Sequence, residues 1–266
     1  MPEKTAIVNV SCANVYHEAT FHTETDTQVL LWEKVIILDE VKNFFRIESE
    51  DHYQGWVNRH QLAFQSPDNF KNKIKITSPI ISFYEEPDTK ARVIRDGCAG
   101  TSIPQISEKD GWYETILPDG KKSWVKKGNF KDIGLLSRKN FIEYGQRFLG
   151  IPYYWGGKTA KGFDCSGLTQ FVHGMFGINL RRDSWMQYED GVFISENPLE
   201  GNPGDLMFFA EDGSRITHVG ICLNNGGILH ARGMVKINSL SRSGPDFDES
   251  LLKNFVGIKT FIKDVS

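Results

Sequence analysis

The sequence predicts an α+β fold class, with two small β-barrels followed by a domain of mixed helices and strands. Three observations support this prediction. The first half consists of short β-branched and aromatic runs broken by turn residues. It also contains an internal repeat, and from Ser137 onward the apolar residues change to helical spacing. A chain of 266 residues suits two or three small domains. We therefore predict domains at residues 1–70, 71–134 and 135–266.

The internal repeat has an offset of 68 residues, the distance from Phe44 to Trp112. An aromatic strand begins at each of these positions, and a Trp-Val pair follows each strand, at Trp56 and Trp124. Each copy fits one β-barrel of about 60 residues. The pattern resembles bacterial SH3-like domains. Core packing is the simplest role for both Trp56 and Trp124.

Two helices are predicted in the second half. The first has Ser137 as its N-cap and Gly150 as its stop. The second has Asp164 as its N-cap and ends at Gly177, which places Cys165 in its first turn. Unpaired backbone N–H groups and the positive end of the helix dipole lie there, and both favour a thiolate. Cys165 is therefore the candidate nucleophile.

A β-hairpin carries His218 and His230 on its two strands, with the turn at residues 224–227. A two-residue turn would put the two rings on opposite faces of the hairpin. A three-residue turn with a glycine bulge puts them on one face. We predict the three-residue turn, with His218 as the base for Cys165 and His230 orienting His218. The backbone N–H of Cys165 is the candidate oxyanion donor.

A metal site is the competing use of these residues. Zinc could be bound by Cys165, His218, Cys222 and His230, but no CxxC or HExxH motif is present. The segment around His218 is β-branched and contains glycine, which favours a strand over the helix that such a spacing would need. We expect no metal and no other cofactor.

Charge and hydropathy limit the possible partners. The net charge of −3 leaves no surplus of basic residues to neutralise phosphates, so no nucleic-acid partner is expected. No run approaches the roughly 20 apolar residues that span a bilayer. If Met1 is the natural start, the expected location is cytoplasmic. The alternative is an exported protein whose leader has been removed.

Several sequence blocks in order carry a specific resemblance. They are Pro152–Gly157, Phe163–Leu168, Pro203–Leu206, and His218–Ile221 followed by His230-Ala231. Together they resemble the NlpC family of cell-wall cysteine peptidases, over roughly residues 137–262 of the chain. The resemblance implies a papain-like fold that hydrolyses peptide bonds of peptidoglycan stems. It implies Cys165, His218 and His230 as catalytic residues, with Tyr153 near the oxyanion.

The two barrels sharpen the resemblance. Barrels of this kind before such a domain resemble the γ-D-glutamyl-L-diamino acid peptidases of murein recycling. These release L-Ala-γ-D-Glu from stem tripeptides or tetrapeptides with a free N-terminal L-Ala, and the diamino acid is L-Lys or meso-diaminopimelate. The resemblance makes the first barrel part of the substrate pocket and the second structural. The substrate-binding residues that it implies are Glu24, Tyr53, Trp155, Asp164, Ser166, Arg182, Asp183 and Ser184.

Within that set, the resemblance implies that Asp183 and Glu24 pair with the α-amine and that Tyr53 closes the pocket. Ser166 and Ser184 would bind the D-Glu carboxylate. Two plainer roles compete: Asp183 as a turn or helix cap, and Glu24 as a solvated charge. Two other functions also stay open. One is an exported wall-lytic endopeptidase acting on intact peptidoglycan, and the other is a non-catalytic wall-binding protein.

Overall fold

The computed structural model describes residues 4–64, 70, 72–211, 213 and 215–263. The chain divides into two compact units, residues 1–132 and 133–266. The described elements of the first unit are strands and two short 3-10 turns, whereas the second unit combines helices with strands. An all-β half followed by a mixed half agrees with the fold class expected from the sequence.

Seven strands form one antiparallel sheet in the first repeat: β1 (Thr5–Val8), β2 (Cys12–Tyr16), β3 (Thr25–Leu30), β4 (Lys34–Val41), β5 (Phe44–Glu48), β6 (Gln54–Asn58) and β7 (Leu62–Ala63). Their order in the sheet is β3-β2-β6-β5-β4-β1-β7. Alternate residues of β1 and β2 are buried, as period-two side-chain geometry requires for a sheet with one apolar face. Val15, Phe45, Ile47 and Val57 lie in the resulting core.

Seven strands also form the second repeat: β8 (Lys73–Lys75), β9 (Ile80–Tyr84), β10 (Val93–Cys98), β11 (Ser102–Pro104), β12 (Ser107–Lys109), β13 (Trp112–Ile116) and β14 (Lys122–Lys126). Five of them form the sheet β10-β9-β14-β13-β12, and β11 pairs with β8. Strands β2, β3, β5 and β6 begin and end 68 residues before β9, β10, β13 and β14. The repeat predicted from the sequence is therefore confirmed.

The repeat extends to single residue pairs. Tyr16 pairs with Trp56 in the first copy, and Tyr84 pairs with Trp124 in the second. The two copies differ where the eight-residue strand β4 is matched by two short strands, β11 and β12, and β11 ends at Pro104. Proline has no N–H to give to a strand ladder, so it interrupts the strand at this point.

Among its described residues, the second unit has four α-helices: α1 (Arg138–Gly145), α2 (Cys165–Met175), α3 (Ser184–Asp190) and α4 (Glu249–Asn254). Its strands are β15 (Lys158–Thr159), β16 (Gly162–Phe163), β17 (Val192–Ser195), β18 (Leu206–Phe209), β19 (His218–Cys222), β20 (Gly227–Arg232), β21 (Met234–Ser239) and β22 (Phe255–Thr260). Six of these strands form the sheet β17-β22-β18-β19-β20-β21, and β15 pairs with β16.

Helices cover both faces of the six-stranded sheet. On one face, α1 and α2 approach β20 so closely that a Cβ at Gly145 would lie 3.0 Å from Leu229 and 3.8 Å from Val172. On the other face, Cys222 and Ile228 pack in one cluster with Leu251 of α4. This arrangement holds α2 against the two strands that carry the histidines.

Both predicted helices are present, with one difference in length. Ser137 accepts a hydrogen bond from Asn140 N–H and caps α1, as predicted. The α-helix stops at Gly145, and a 3-10 turn at residues 146–148 leads to Gly150, whose φ is +84°. Among the described residues, no helix has the length and apolar character needed to cross a membrane.

Candidate active site

The start of α2 is fixed by the side chain of Asp164. Its Oδ1 accepts the N–H of Gly167 at 2.6 Å, so it is the N-cap that the sequence predicts. Its Oδ2 accepts the N–H of Gly156 at 2.9 Å and so ties the preceding loop to the helix. Cys165 therefore occupies the first position of α2, and the backbone N–H groups of Val219 and Ser166 point at its sulfur.

The glycines of the motif allow this helix start to lie directly on the backbone of the preceding loop. A Cβ at Gly167 would collide with the carbonyl oxygen of Gly157, and a Cβ at Gly157 would collide with that of Gly162. The chain must also turn at Gly156, whose φ is +77°. Side chains at these positions would lift Cys165 out of place.

A buried ion pair lies beneath Cys165. Arg182 is 2% exposed and Asp164 is 7% exposed. The guanidinium contacts both carboxylate oxygens, at 3.1 and 2.5 Å, and donates to the Ser166 hydroxyl at 2.9 Å. Because the charges of Asp164 and Arg182 are bonded to each other, the structure gives this pair a supporting role under the nucleophile. Direct contact of either residue with substrate stays a prediction.

The hairpin of β19 and β20 has the pairing register that the predicted three-residue turn requires. Ile221 pairs with Leu229 and Cys222 with Ile228, so the numbers of paired residues add to an even value. The loop is the three residues Asn224–Gly226, in which Asn225 and Gly226 have φ of +57° and +77°. The three-residue turn is therefore confirmed.

This register brings the two histidines together on one face. His218 Nε2 lies 2.8 Å from His230 Nδ1. Gly220 makes room for the second ring, because a Cβ there would lie 2.8 Å from the Cβ of His230. His230 Nε2 in turn lies 2.9 Å from Asn238 Oδ1 on β21. Sequence reasoning missed Asn238, and the only available signal was its position one strand beyond His230.

Burial favours the neutral form of all three candidate catalytic groups. Burial lowers the pKa of His218 to about 3, with His230 as the next cause, and burial lowers the pKa of His230 to about 4. Burial, followed by the charge of Asp164, raises the pKa of the Cys165 thiol to about 12. The N–H groups around the sulfur favour a thiolate, as expected from the sequence, but desolvation of the sulfur acts in the opposite direction and is the larger influence on its pKa.

A cleft of about 380 Å³ lies beside the candidate nucleophile and the candidate base. Cys165 and His218 line it together, between Tyr153 and Trp155 of the loop and Leu251 and Asn254 of α4. Its remaining lining residues are Phe209, Glu211, Thr217, Ala231, Arg232 and Gly233. Trp155 is 61% exposed. Tyr153 is half-buried, and burial raises the pKa of its hydroxyl.

The other substrate-binding candidates of this unit lie near α3 and do not line that cleft within the described residues. Asp183 occupies the N-cap position of α3, its carbonyl oxygen accepts the N–H of Gln187 at 3.0 Å, and its side chain makes no capping hydrogen bond there. Ser184 is buried, with its hydroxyl 3.5 Å from the Ile216 carbonyl oxygen. Ser166 Oγ contacts Asp164 as well as Arg182.

Glu24 and Tyr53 belong to the first unit. Glu24 is exposed just before β3, and its carbonyl accepts the N–H of His17 at 3.1 Å. Tyr53 is half-buried, and its carbonyl accepts the N–H of Ser49 at 3.0 Å. The role of both residues in binding substrate stays a prediction.

The zinc alternative lacks a converging set of ligands. Cys222 is four residues from His218 on β19 and packs in an apolar cluster, where a Cβ at Gly201 would lie 2.8 Å from its sulfur. In the part of the chain that the structure describes, no three His, Cys, Asp or Glu residues come together as a metal site would require.

Comparisons with known proteins give the same assignment as the geometry. Residues 150–252 match the NlpC/P60 family, and residues 15–62 match a family described as the bacterial dipeptidyl-peptidase Sh3 domain. The γ-D-glutamyl-L-lysine dipeptidyl-peptidase of Bacillus cereus (strain ATCC 10987 / NRS 248) is 31% identical over 227 residues, covering 77% of this chain and 67% of that protein. The protein of the same name from Bacillus subtilis (strain 168) is 28% identical over 217 residues, covering 77% and 71%.

A solved structure supports the fold over almost the whole chain. The crystal structure of an NlpC/P60 family protein from Bacillus cereus ATCC 10987 has a TM-score of 0.83 to this chain. The two are 24% identical, and the match covers 97% of this chain and 100% of that one. The first unit thus carries an SH3-like domain and the second a papain-like domain. Cys165 and His218 line one cleft, and His230 is hydrogen-bonded to His218. With this arrangement and these relatives in sequence and fold, the chain belongs to the NlpC/P60 family of cysteine peptidases.

Proposed function

We propose that this peptidase hydrolyses the bond between γ-D-Glu and the L-diamino acid in murein stem peptides with a free N-terminal L-Ala. The product is L-Ala-γ-D-Glu, released during cell-wall recycling. The observation that carries the proposal is the shared cleft of Cys165 and His218, with His230 hydrogen-bonded behind His218. The names of the Bacillus relatives supply the substrate class.

The chemistry begins with proton transfer inside the cleft. Burial favours the neutral thiol and the neutral imidazole, so we assign to His218 the removal of the Cys165 proton as the sulfur attacks the γ-glutamyl carbonyl carbon. His230 stabilises the imidazolium that forms, in the way that the third member of a triad does. His218 then protonates the departing amine, and a thioester of L-Ala-γ-D-Glu stays on Cys165. Water that is activated by His218 hydrolyses this thioester.

Negative charge develops on the carbonyl oxygen during both steps. The first N–H groups of α2 have no partner within the helix, and the N–H of Cys165 itself is among them. Tyr153 lines the same cleft, and its raised pKa keeps the hydroxyl protonated and able to donate. We assign these two groups to the oxyanion.

The free amine and the D-Glu carboxylate require polar partners on the acyl side. Asp183 and Glu24 would pair with the ammonium, Tyr53 would close over it, and Ser166 and Ser184 would bind the carboxylate. This set is supported by the resemblance of the sequence and by the position of Asp183 and Ser184 at the start of α3. Arg182 and Asp164 hold Ser166 in place, and Trp155 forms the exposed rim of the cleft.

We expect the leaving diamino acid to bind in the part of the cleft that lies beyond His218. Its walls present the cation of Arg232 and the anion of Glu211. Arg232 is oriented by Ser250, which accepts from its Nη1 at 3.0 Å. A diamino acid carries both a carboxylate and a side-chain ammonium, so one wall complements each charge. We expect Glu211→Gln to raise the KM for an L-Lys leaving group more than for its Nε-acetyl form.

The two alternative functions make different demands. A wall-lytic endopeptidase would have to accept stems whose amine is acylated, whereas the proposed pocket leaves an unpaired carboxylate against such a substrate. A non-catalytic binding protein would not need a thiol, a base and an orienting histidine in register. The arrangement of Cys165, His218 and His230 favours catalysis.

One set of substrates separates the three functions. The purified protein is incubated with L-Ala-γ-D-Glu-L-Lys, its diaminopimelate analogue, the N-acetylated tripeptide and intact sacculi. We expect cleavage of the two free peptides only, and loss of that cleavage in Cys165→Ala. Equal cleavage of the acetylated peptide or of sacculi would refute the recycling role. Absence of cleavage, with sacculi bound equally well by wild type and Cys165→Ala, would instead indicate a binding protein.

A further inference from the structure

Asn238 lies at the end of a hydrogen-bonded chain that runs back to the cleft. We propose that Asn238 is a positioning residue, which sets the tautomers of His230 and His218 so that His218 presents a bare Nδ1 to the Cys165 thiol. This inference rests on the proposed roles of Cys165 and His218, and it does not depend on which peptide is the substrate. Asn238 would act through the histidines and not on the substrate.

The orientation of the Asn238 amide is fixed by the backbone. Its Nδ2 donates to the carbonyl oxygen of Asp246 at 3.0 Å. A carbonyl oxygen can only accept, so the NH₂ group must face Asp246 and the amide oxygen must face His230. The same carbonyl accepts the backbone N–H of Ser239 at 3.1 Å, and Asp246 has a φ of +50°, a turn conformation that aims this oxygen at β21. The amide therefore cannot reverse without leaving an N–H facing His230 and an oxygen facing Asp246.

The oxygen of Asn238 then decides which nitrogen of His230 carries hydrogen. Because His230 Nε2 lies 2.9 Å from an acceptor, Nε2 must be the N–H and Nδ1 must be the acceptor in the neutral ring. His218 Nε2 lies 2.8 Å from that Nδ1 and so must donate to it. The only lone pair that remains on His218 is at Nδ1. A general base needs an unprotonated nitrogen. The hydrogen bonds from Asn238 through His230 to His218 leave His218 Nδ1 unprotonated while both rings stay neutral.

The surroundings of the histidine pair make this control necessary. His230 is 0% exposed, so bulk water does not reach its ring, and Asn238 Oδ1 lies 2.9 Å from its Nε2. The charged groups that face the pair are Arg232 of β20, Lys236 of β21 and Asp248 at the start of α4. Two of these three are cations that disfavour an imidazolium. The direction of the hydrogen bond from His218 to His230 therefore depends on an acceptor for His230 Nε2–H. The side chain of Asn238 provides that acceptor.

The direct test is the tautomeric state of the wild-type protein. Protein containing ¹⁵N-labelled histidine is studied at neutral pH by long-range ¹H–¹⁵N correlation spectra, with His218→Ala and His230→Ala used for assignment. We expect both rings as the Nε2–H tautomer. A wild-type His230 protonated at Nδ1 would overturn the proposal. This measurement needs no substrate and no Asn238 variant that folds.

Two variants at position 238 test the consequence for the thiol. Asn238→Asp keeps an acceptor for His230 Nε2–H, whereas Asn238→Leu has the same size without one. The readouts are the rate of Cys165 alkylation by iodoacetamide across pH and the kcat on the tripeptide. For Asn238→Leu we expect both to fall by about 10- to 100-fold at neutral pH, the loss typical when the outer partner of a functional histidine is removed. Asn238→Asp should be alkylated clearly faster than Asn238→Leu, because it keeps the acceptor and its charge favours the imidazolium, although one carboxylate oxygen then faces the Asp246 carbonyl.

The control variant is Ile237→Ala, which disturbs the same strand from its opposite face. It should leave the alkylation profile and kcat within about twofold of wild type. Equal losses in Asn238→Leu, Asn238→Asp and Ile237→Ala would mean that β21 is only structural, which would overturn the proposal. If the peptides are not cleaved but the tautomers and alkylation follow the expectation, the proposed substrate is wrong and the role of Asn238 stands.

Discussion

Cys165 and Cys222 are two free, buried thiols of the same domain, and burial raises the pKa of both. They differ in what surrounds the sulfur. Cys165 begins a helix, receives backbone N–H groups and shares a cleft with His218. Cys222 ends a strand, is 0% exposed and packs among Met207, Ile228 and Leu251. Neither thiol has a lowered pKa, so the pKa does not distinguish them. What distinguishes Cys165 is that it lines a cleft together with a candidate base.

The largest expected effect separates the two cysteines directly. Cys165→Ala removes the group that forms the thioester, so we expect kcat to fall by at least about 1,000-fold. Cys222→Ala touches neither the cleft nor the histidines and should keep kcat within about twofold of wild type. Both are measured by release of L-Lys from the tripeptide. Similar losses in the two variants would break the comparison.

The ion pair beneath Cys165 is expected to stabilise the fold. Arg182→Met leaves the Asp164 carboxylate buried without its cation, and we expect a loss of about 3–5 kcal/mol in the free energy of unfolding. The matched control is Arg181→Met, because Arg181 is the neighbouring residue and its pairs with Glu189 and Asp190 are exposed. That change should cost less than about 1 kcal/mol. Urea denaturation measures both, and equal costs would mean that burial adds nothing at this position.

A third buried histidine sharpens the account of pH dependence. His173 is on α2, donates from Nδ1 to the Thr169 carbonyl oxygen at 2.8 Å, and has its pKa lowered by burial to about 4. Its unfolded pKa is the ordinary 6.5, so the unfolded chain binds a proton between pH 6.5 and 4 that the folded chain does not. Stability therefore falls as the pH falls through that window. From pH 7 to pH 5, His173→Phe should lose about 2 kcal/mol less stability than wild type.

The same sign holds for His218 and His230, whose folded pKa values are also depressed. The His173→Phe variant should therefore still lose some stability between pH 6.5 and 4. Denaturation at several pH values measures it. If His173→Phe and wild type lose equal free energy of unfolding from pH 7 to pH 5, His173 is protonated in the folded state.

The smallest expected effect lies at the second cysteine. Cys222→Ala removes one buried sulfur and should cost about 1 kcal/mol of stability. Gly201→Ala adds a methyl group 2.8 Å from that sulfur and should destabilise the protein by about 1–3 kcal/mol. In the double variant the two changes should compensate in part. Additive costs in a double-mutant cycle would show that the sulfur and Gly201 do not touch.

Features that depend on short stretches of chain could be predicted from the sequence. The 68-residue repeat, the caps at Ser137 and Asp164 and the three-residue hairpin turn each follow from local spacing, and the structure has them. An odd number of residues in the hairpin loop was enough to predict that His218 and His230 lie on one face, because side chains alternate strictly along a strand.

Features that depend on what covers a residue could not be predicted in this way. The helix start indicated an ionised Cys165, but the amount of burial over the sulfur decides its pKa, and burial is a property of the folded chain. Asp164 and Arg182 are 18 residues apart, and only the fold shows that each neutralises the other. Asn238 is on a strand that the motifs do not include. Its contact with His230 could therefore be recognised only from the pairing register of β20 and β21.

The central claim is that His218 activates Cys165 across a shared cleft. Site-resolved alkylation tests it: wild type and His218→Ala are treated with limiting iodoacetamide at neutral pH, and each cysteine is quantified by peptide mass spectrometry. The account predicts that Cys165 is modified first in wild type, that Cys222 stays unmodified in the folded protein, and that His218→Ala slows modification of Cys165 by at least about tenfold. Modification of Cys222 as fast as Cys165, or an unchanged Cys165 rate in His218→Ala, would contradict it.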